Sequence, residues 1–159
     1  MHRVKRERPV IGWREWVQLP ELLDVPIKAK IDTGARTSSI HSFGTRRFTE
    51  RGAPWVEFLL HPFQRQARPE FAVRAAIKDE RLVRSSNGAA EARIVVETVA
   101  RLGATDWPIE LTLADRDVMG FRMLLGREAI RRRFLIDPGR SYRQSDRHLA
   151  PHCPDQPIS

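Results

Sequence analysis

The chain is poor in what would staple it, span a bilayer or bind a nucleotide. It has one cysteine, Cys153, among 159 residues. One thiol forms no internal disulfide, so the fold must rest on its core, and a cytoplasmic, reducing location is the expectation. No apolar run approaches the roughly 20 residues a spanning helix needs, which points away from a membrane. The basic start, Met1 to Arg8, leads into no apolar segment of the kind that follows a secretory leader's first residues. There is no Gly-x-x-x-x-Gly-Lys loop for phosphates and no His-Glu-x-x-His for zinc. The five histidines, at 2, 41, 61, 148 and 152, make no paired helical spacing. His148, His152, Cys153 and Asp155 gather late, but Pro151 and Pro154 interrupt them. No metal and no cofactor is therefore expected.

Negative charge is also in short supply. Twenty Asp and Glu face 28 Lys and Arg, for a net charge of +8. Such an excess favours anionic partners: nucleic acid, ribosomes, anionic surfaces or acidic polypeptide. The length and 41% hydrophobic content fit one domain with a sizeable core. Three regions follow from composition: a basic arm over 1–8, a folded domain over 9–140, and a Pro-, Arg- and His-bearing tail over 141–159, expected to be loosely held.

The most informative stretch is Ile31-Asp32-Thr33-Gly34-Ala35. Val25 to Ile31 alternates like a strand and delivers one carboxylate into a Thr-Gly turn. Glycine lets backbone N–H groups approach that carboxylate, and the Thr hydroxyl can fix the turn. A carboxylate held so can activate water if a second charge lies beside it. On its own the tripeptide is also an ordinary turn.

Short strands dominate the remainder. Val10 to Leu19, Trp55 to Leu60 and Trp107 to Leu113 read as strands. Arg36 to Ser42 is a hydroxyl-rich strand, with its polar side facing either a cleft or solvent. Phe71 to Lys78 places Phe71, Val73, Ala75 and Ile77 on one face at period 2, with a helix as the competing reading. Arg81 to Arg84 and Glu91 to Ala100, joined through Ser85-Ser86-Asn87-Gly88, form a hairpin, for which Asn-Gly is a strong signal. Phe43 to Pro54 reads as a loop. Phe121 to Leu125 is a short buried strand, and Glu128 to Phe134 is the one helix, stopped by Asp137-Pro138-Gly139. The expected class is all-β, a small barrel or sandwich with one late helix.

An apolar strand entering Asp-Thr-Gly-Ala, followed far downstream by Leu124-Leu125-Gly126-Arg127-Glu128, resembles the retropepsin family of aspartic proteases. The separation of Asp32 and Gly126, 94 positions, exceeds the retroviral spacing, which implies an insertion near 42–69. More closely, the chain resembles the bacterial family labelled ATP-dependent zinc proteases, associated with ATP-grasp glutamate ligases. That resemblance runs from Ile11-Gly12-Trp13-Arg14-Glu15-Trp16-Val17 through Lys28 to His41 and Arg84 to Gly88, then to Met123-Leu124-Leu125-Gly126-Arg127 and Asp137-Pro138. It implies a closed retropepsin-like β-barrel with a flap hairpin and a short C-terminal helix. It implies catalysis by Asp32, Thr33 and Gly34, substrate contacts from Ala35, Arg36, Ser85, Ser86, Asn87 and Gly88, and structural support from Gly126 and Arg127. Retroviral sequences commonly carry Asp where this chain has Arg36. Arg127 must then find another anion, with Asp24, Glu128 and Asp137 as candidates.

Aspartic catalysis needs two carboxylates sharing a proton. No second Asp-Thr/Ser-Gly occurs, so the expected enzyme is a homodimer with Asp32 from each copy. The expected substrate is polypeptide, with acidic or glutamylated tails as candidates. The competing readings are a non-catalytic module for acidic peptides and a ribosome- or RNA-binding protein. Scattered arginines and the lack of an aromatic-basic repeat weigh against the last.

Overall fold

The computed structural model describes residues 7–63, 70–84, 88–115 and 120–145. Over these residues the regular structure is strand, apart from one short helix. It runs β1 (Val10–Ile11), β2 (Arg14–Val17), β3 (Ile27–Asp32), β4 (Ser38–His41), β5 (Phe43–Glu50) and β6 (Ala53–Leu60), then β7 (Phe71–Arg84), β8 (Ala90–Leu102), β9 (Thr105–Ala114), β10 (Met123–Gly126), α1 (Arg127–Ile130) and β11 (Leu135–Ile136). Nine strands form one sheet in the order β2-β3-β10-β4-β9-β8-β7-β6-β5, and β1 pairs with β11 separately.

The alternating runs become strands because each buries one face. Val56, Phe58 and Leu60 of β6 point inward, as do Val73 and Ala75 of β7, Val96, Ala100 and Leu102 of β8, and Trp107, Ile109 and Leu111 of β9. The period-2 reading of Phe71 to Lys78 therefore holds against the helical alternative. The short β10 is buried at all four positions, because strands flank it on both sides. Trp107 donates its indole N–H to the Ala129 carbonyl at 3.0 Å, and its ring meets Phe134 edge-on at 5.0 Å.

Three expectations need correction. The all-β class holds, but the sheet does not close into a barrel. Its edges are β2 and β5, and only an isolated Gln18–Arg101 bridge lays the end of β2 onto β8. The reason is the second correction. Phe43 to Pro54 is not a loop but β5 and the start of β6, a hairpin turning at Arg51 and Gly52. It extends the sheet beyond β7 with a strand too polar to be rolled inward. A cross-strand row holds it: Glu57 accepts from Arg46 at 3.3 Å and from Arg74 at 3.1 Å. Third, the helix begins one residue before Glu128 and ends at Ile130, well before Asp137. Arg131 turns extended, and the Arg133 and Phe134 N–H groups both donate back to the Ile130 carbonyl. This exit frees Leu135 and Ile136 to pair with Val10 and Ile11.

Residues 141–145 pack on β2. Glu15 is completely buried, and its carboxylate accepts from the Gly12 N–H at 3.2 Å, the Gln144 N–H at 2.8 Å and the Ser145 hydroxyl at 2.7 Å. Tyr142 stacks on Trp16, and the Arg14 guanidinium lies 5.1 Å from the Tyr142 ring centre. The first six residues and residues 146–159 lie outside the described residues, as do 64–69.

Candidate active site

The central strands cross in an unusual order. β3 and β4 are consecutive in the chain, yet β10 lies between them, parallel to β3 and antiparallel to β4. The link from Asp32 to Thr37 must therefore pass over the end of β10. Gly126 makes that crossing possible. A Cβ there would sit 2.5 Å from the Thr37 carbonyl carbon and 2.6 Å from its oxygen, so only glycine fits beneath the link. In register, Gly126 stands opposite Asp32, and its N–H donates to the buried Ser38 hydroxyl at 3.0 Å.

The turn is clamped from both ends. Asp32 Oδ1 accepts from the Gly34 N–H at 2.9 Å and the Ala35 N–H at 3.2 Å. The Arg127 and Glu128 N–H groups donate to the Ala35 and Arg36 carbonyls at 2.7 and 3.0 Å. The first N–H groups of α1, orphaned in any helix, thus find acceptors in the turn. Arg127 Nη1 donates to the Thr33 carbonyl at 3.0 Å. None of the three anions considered for Arg127 serves it. Glu128 pairs with Arg131 and Asp137 with Arg140, while a carbonyl dipole takes the role expected of a carboxylate.

The result is a half-buried Asp32 with one oxygen tied into the turn and Thr33 and Gly34 exposed at its apex. Past the turn lies a recess of about 550 Å³, lined by Arg36, Thr37, Ser38, Arg81, Ile109, Glu110 and Glu128 among others, but not by Asp32, Thr33 or Gly34. Its floor carries an ion-pair network. Arg81 donates to Glu110 at 2.9 Å and Lys78 approaches the same carboxylate at 3.1 Å. The Arg81 hydrogen bond first, and Lys78 after it, hold the Glu110 carboxyl below its usual range. Arg36 is exposed at the rim, and no described carboxylate pairs with it.

Sequence reasoning brought Asp32, Thr33, Gly34, Ala35, Arg36, Gly126 and Arg127 into one constellation, and they meet here. It missed the specific part of Ser38, read only as one hydroxyl in a polar strand. It also missed Arg81 and Glu110, which it read only as residues of a hairpin and of a strand. The β7–β8 hairpin forms as expected, with Arg84 opposite Ala90. Its tip residues Ser85, Ser86 and Asn87 lie outside the described residues, and Gly88 is exposed with φ +82°. Among the described residues no group of three His, Cys, Asp or Glu is placed to hold a metal.

A family model for RimB-like proteins, described as retropepsin-like aspartic endopeptidase RimB, matches residues 10–147. The chain belongs to the RimB-like family. Similar proteins carry a different name. A probable alpha-L-glutamate ligase of Shewanella pealeana is 47% identical over 133 residues, covering 84% of this chain but 29% of the relative. A probable alpha-L-glutamate ligase of Parasynechococcus marenigrum is 42% identical over 137 residues, covering 86% of this chain and again 29% of the relative. The RimB-like chain thus spans under a third of the length of these curated relatives. A Legionella pneumophila protein of unknown function superposes with a TM-score of 0.72 at 21% identity, covering 87% of this chain and all of that one. The Legionella protein therefore shares this fold.

Proposed function

We propose that this chain is an aspartic-type endopeptidase in which two copies of Asp32, one from each protomer of a homodimer, activate water for peptide-bond hydrolysis. The observation that carries the reading is the tethering of Asp32. Two backbone N–H groups fix Oδ1, while the apex beside it stays exposed. One such turn supplies one carboxylate. A second copy across a two-fold axis supplies the other, and a proton shared by the pair lets one act as base while the other acts as acid. Thr33 and Gly34 are then the meeting surface, and the β7–β8 hairpin closes over substrate and excludes water.

Acidic or glutamylated polypeptide tails are the proposed substrate, in the cytoplasm. The relatives named as glutamate ligases support this, together with Arg36 at the recess rim. A carboxylate entering there meets an unpaired guanidinium, the strong form of contact once water is excluded. The same arginine also suits a module that binds acidic peptides without cutting them.

The Asp32→Asn variant separates the two readings. Asn can still accept the Gly34 and Ala35 N–H bonds, so the turn survives while the ionisable pair is lost. Incubation with Glu-rich peptides, read by mass spectrometry, should show cleavage by the native chain and none by the variant, with peptide binding retained. Cleavage by the variant at the native rate would overturn the aspartic mechanism. Activity should also fall as salt rises past about 0.15 M, where exposed charges are screened beyond about 8 Å.

A further inference from the structure

The β7–β8 hairpin is not regular. Ile77 stands opposite Val96 and Asp79 opposite Val95, so Lys78 is an extra residue, a β-bulge. The bulge exchanges the two faces of the strand. In unbroken register Arg81 would stand opposite Ala92 and Leu82 opposite Glu91. As built, Arg81 lies opposite Arg93 and Leu82 opposite Ala92. Before the bulge, Val73 and Ala75 bury the face that meets the core. Beyond it that face carries Glu80 and Leu82, and Leu82 is left 76% exposed. The other face carries Arg81, which reaches Glu110 and lines the recess past the Asp32 turn. The bulge thus gives the recess a guanidinium and turns an apolar side chain away from it, a re-aiming that bulges bring about beside active sites.

Arg81 is held but not used up. Its Nε donates to Asp79 at 3.0 Å and its Nη1 to Glu110 at 2.9 Å, which leaves Nη2 without a partner among the described residues. A group fixed in advance loses less rotamer freedom when a ligand arrives. Arg36 enters the same lining from the turn. Glu110 and Glu128 also lie there, so the recess offers acceptors as well as donors. That mixture selects the ligand. A phosphodiester strand brings acceptors alone and would meet both carboxylates. An extended peptide brings backbone N–H groups for the carboxylates, and an acidic side chain brings a partner for the guanidinium groups. Pro108, Ile109 and Ala129 add an apolar wall for the methylenes of a glutamate.

Resting on the reading of the Asp32 turn as a peptidase centre, we infer that Arg81 is a specificity-determining residue, which with Arg36 takes the side-chain carboxylate of a substrate glutamate in this recess. Bound there, the carboxylate links the hairpin to the turn through the substrate, so the acidic residue itself favours closure.

The test uses the full chain and matched peptides with Glu or Gln at one position, scanned along a neutral sequence. Cleavage is read as kcat/KM, and binding as fluorescence anisotropy with the Asp32→Asn chain. At one position Glu should be favoured over Gln by roughly tenfold or more, the worth of a charge-assisted hydrogen bond. Arg81→Met should bring that preference below about twofold in both assays, while unchanged binding of the Gln peptide shows that the variant is folded. Lys78→Met is the control. It removes the same unit of charge and the other cation from Glu110, but Lys78 does not line the recess, so the preference should remain. No preference in the native chain, or one that survives Arg81→Met, overturns the inference. So does an equal loss in Lys78→Met, which would make the preference one of net charge. Binding that favours Glu through Arg81, with no cleavage by the native chain, would support the contact and overturn the peptidase reading alone.

Discussion

Gly126→Ala should damage both stability and the candidate site, through one contact. The Gly126 backbone has φ −88°, which alanine adopts freely, so no conformational penalty enters. The cost is steric. The new Cβ would meet the Thr37 carbonyl carbon at 2.5 Å, its oxygen at 2.6 Å and the Ser38 nitrogen at 3.0 Å. Carbon atoms in contact prefer about 3.5–4.0 Å, so the strands must part by close to an ångström. All three obstacles are backbone, on a link tied to α1 through Ala35 and Arg36, and cannot swing aside as a side chain would. Overpacking of this kind costs about 1–3 kcal/mol. Stretching the Gly126 N–H bond to Ser38 adds about 0.5–1.5 kcal/mol. A total near 3 kcal/mol corresponds to a fall in Tm of roughly 6–12 °C for a chain of this length. Thermal unfolding followed by far-UV dichroism measures it. The same displacement moves the Asp32 turn, so any peptide cleavage should fall further than the loss of folded protein explains. A Tm within about 1 °C of the native value would refute the account of why glycine sits there.

Other outcomes follow from single contacts. Glu15→Ala strands the buried Gly12 N–H and the half-buried Gln144 N–H and should cost about 3 kcal/mol, with hydrogen exchange speeding up over residues 141–145. Unchanged exchange there would show that the segment is held by its aromatic contacts alone. Arg127→Met removes the bond to the Thr33 carbonyl and should cost about 1 kcal/mol in denaturant unfolding, while reducing cleavage more than stability. Glu110 titrates below its ordinary range in the folded chain, chiefly through Arg81. Its ion pairs therefore contribute stability above about pH 4.5, and the contribution is lost as pH falls through the lowered folded value. The Tm gap between the native chain and Glu110→Gln should accordingly narrow between pH 6 and pH 3, and a constant gap would contradict the pairing.

Much was legible because local pattern and burial agree. Period-2 alternation identified β3, β7 and β9, and Val73, Ala75, Ile109 and Leu111 each bury the face that the alternation groups. Asn87-Gly88 announced the β7–β8 hairpin through turn chemistry. The Asp32 turn was visible because Asp, Thr and Gly each have a distinct backbone use, and Gly126 through the family resemblance that Leu124-Leu125-Gly126-Arg127 carries. Pattern failed where exposure erased it. β5 pairs along one side only, and its run Gly44-Thr45-Arg46-Arg47 carries no apolar face to read.

The sequence by itself determined which of the apolar-patterned segments extend, and which residues end the two strands that meet at Asp32. Those are consequences of side-chain size, polarity and backbone freedom, which act over a few residues. Tertiary structure alone decided that β10 lies between β3 and β4, that the sheet stays open at β5, and that Arg127 turns to a carbonyl. It also decided that Glu15 is buried against Gln144 and Ser145, far along the chain. Each of these depends on which distant segments come together, and a partner over a hundred residues away leaves no trace in the local pattern.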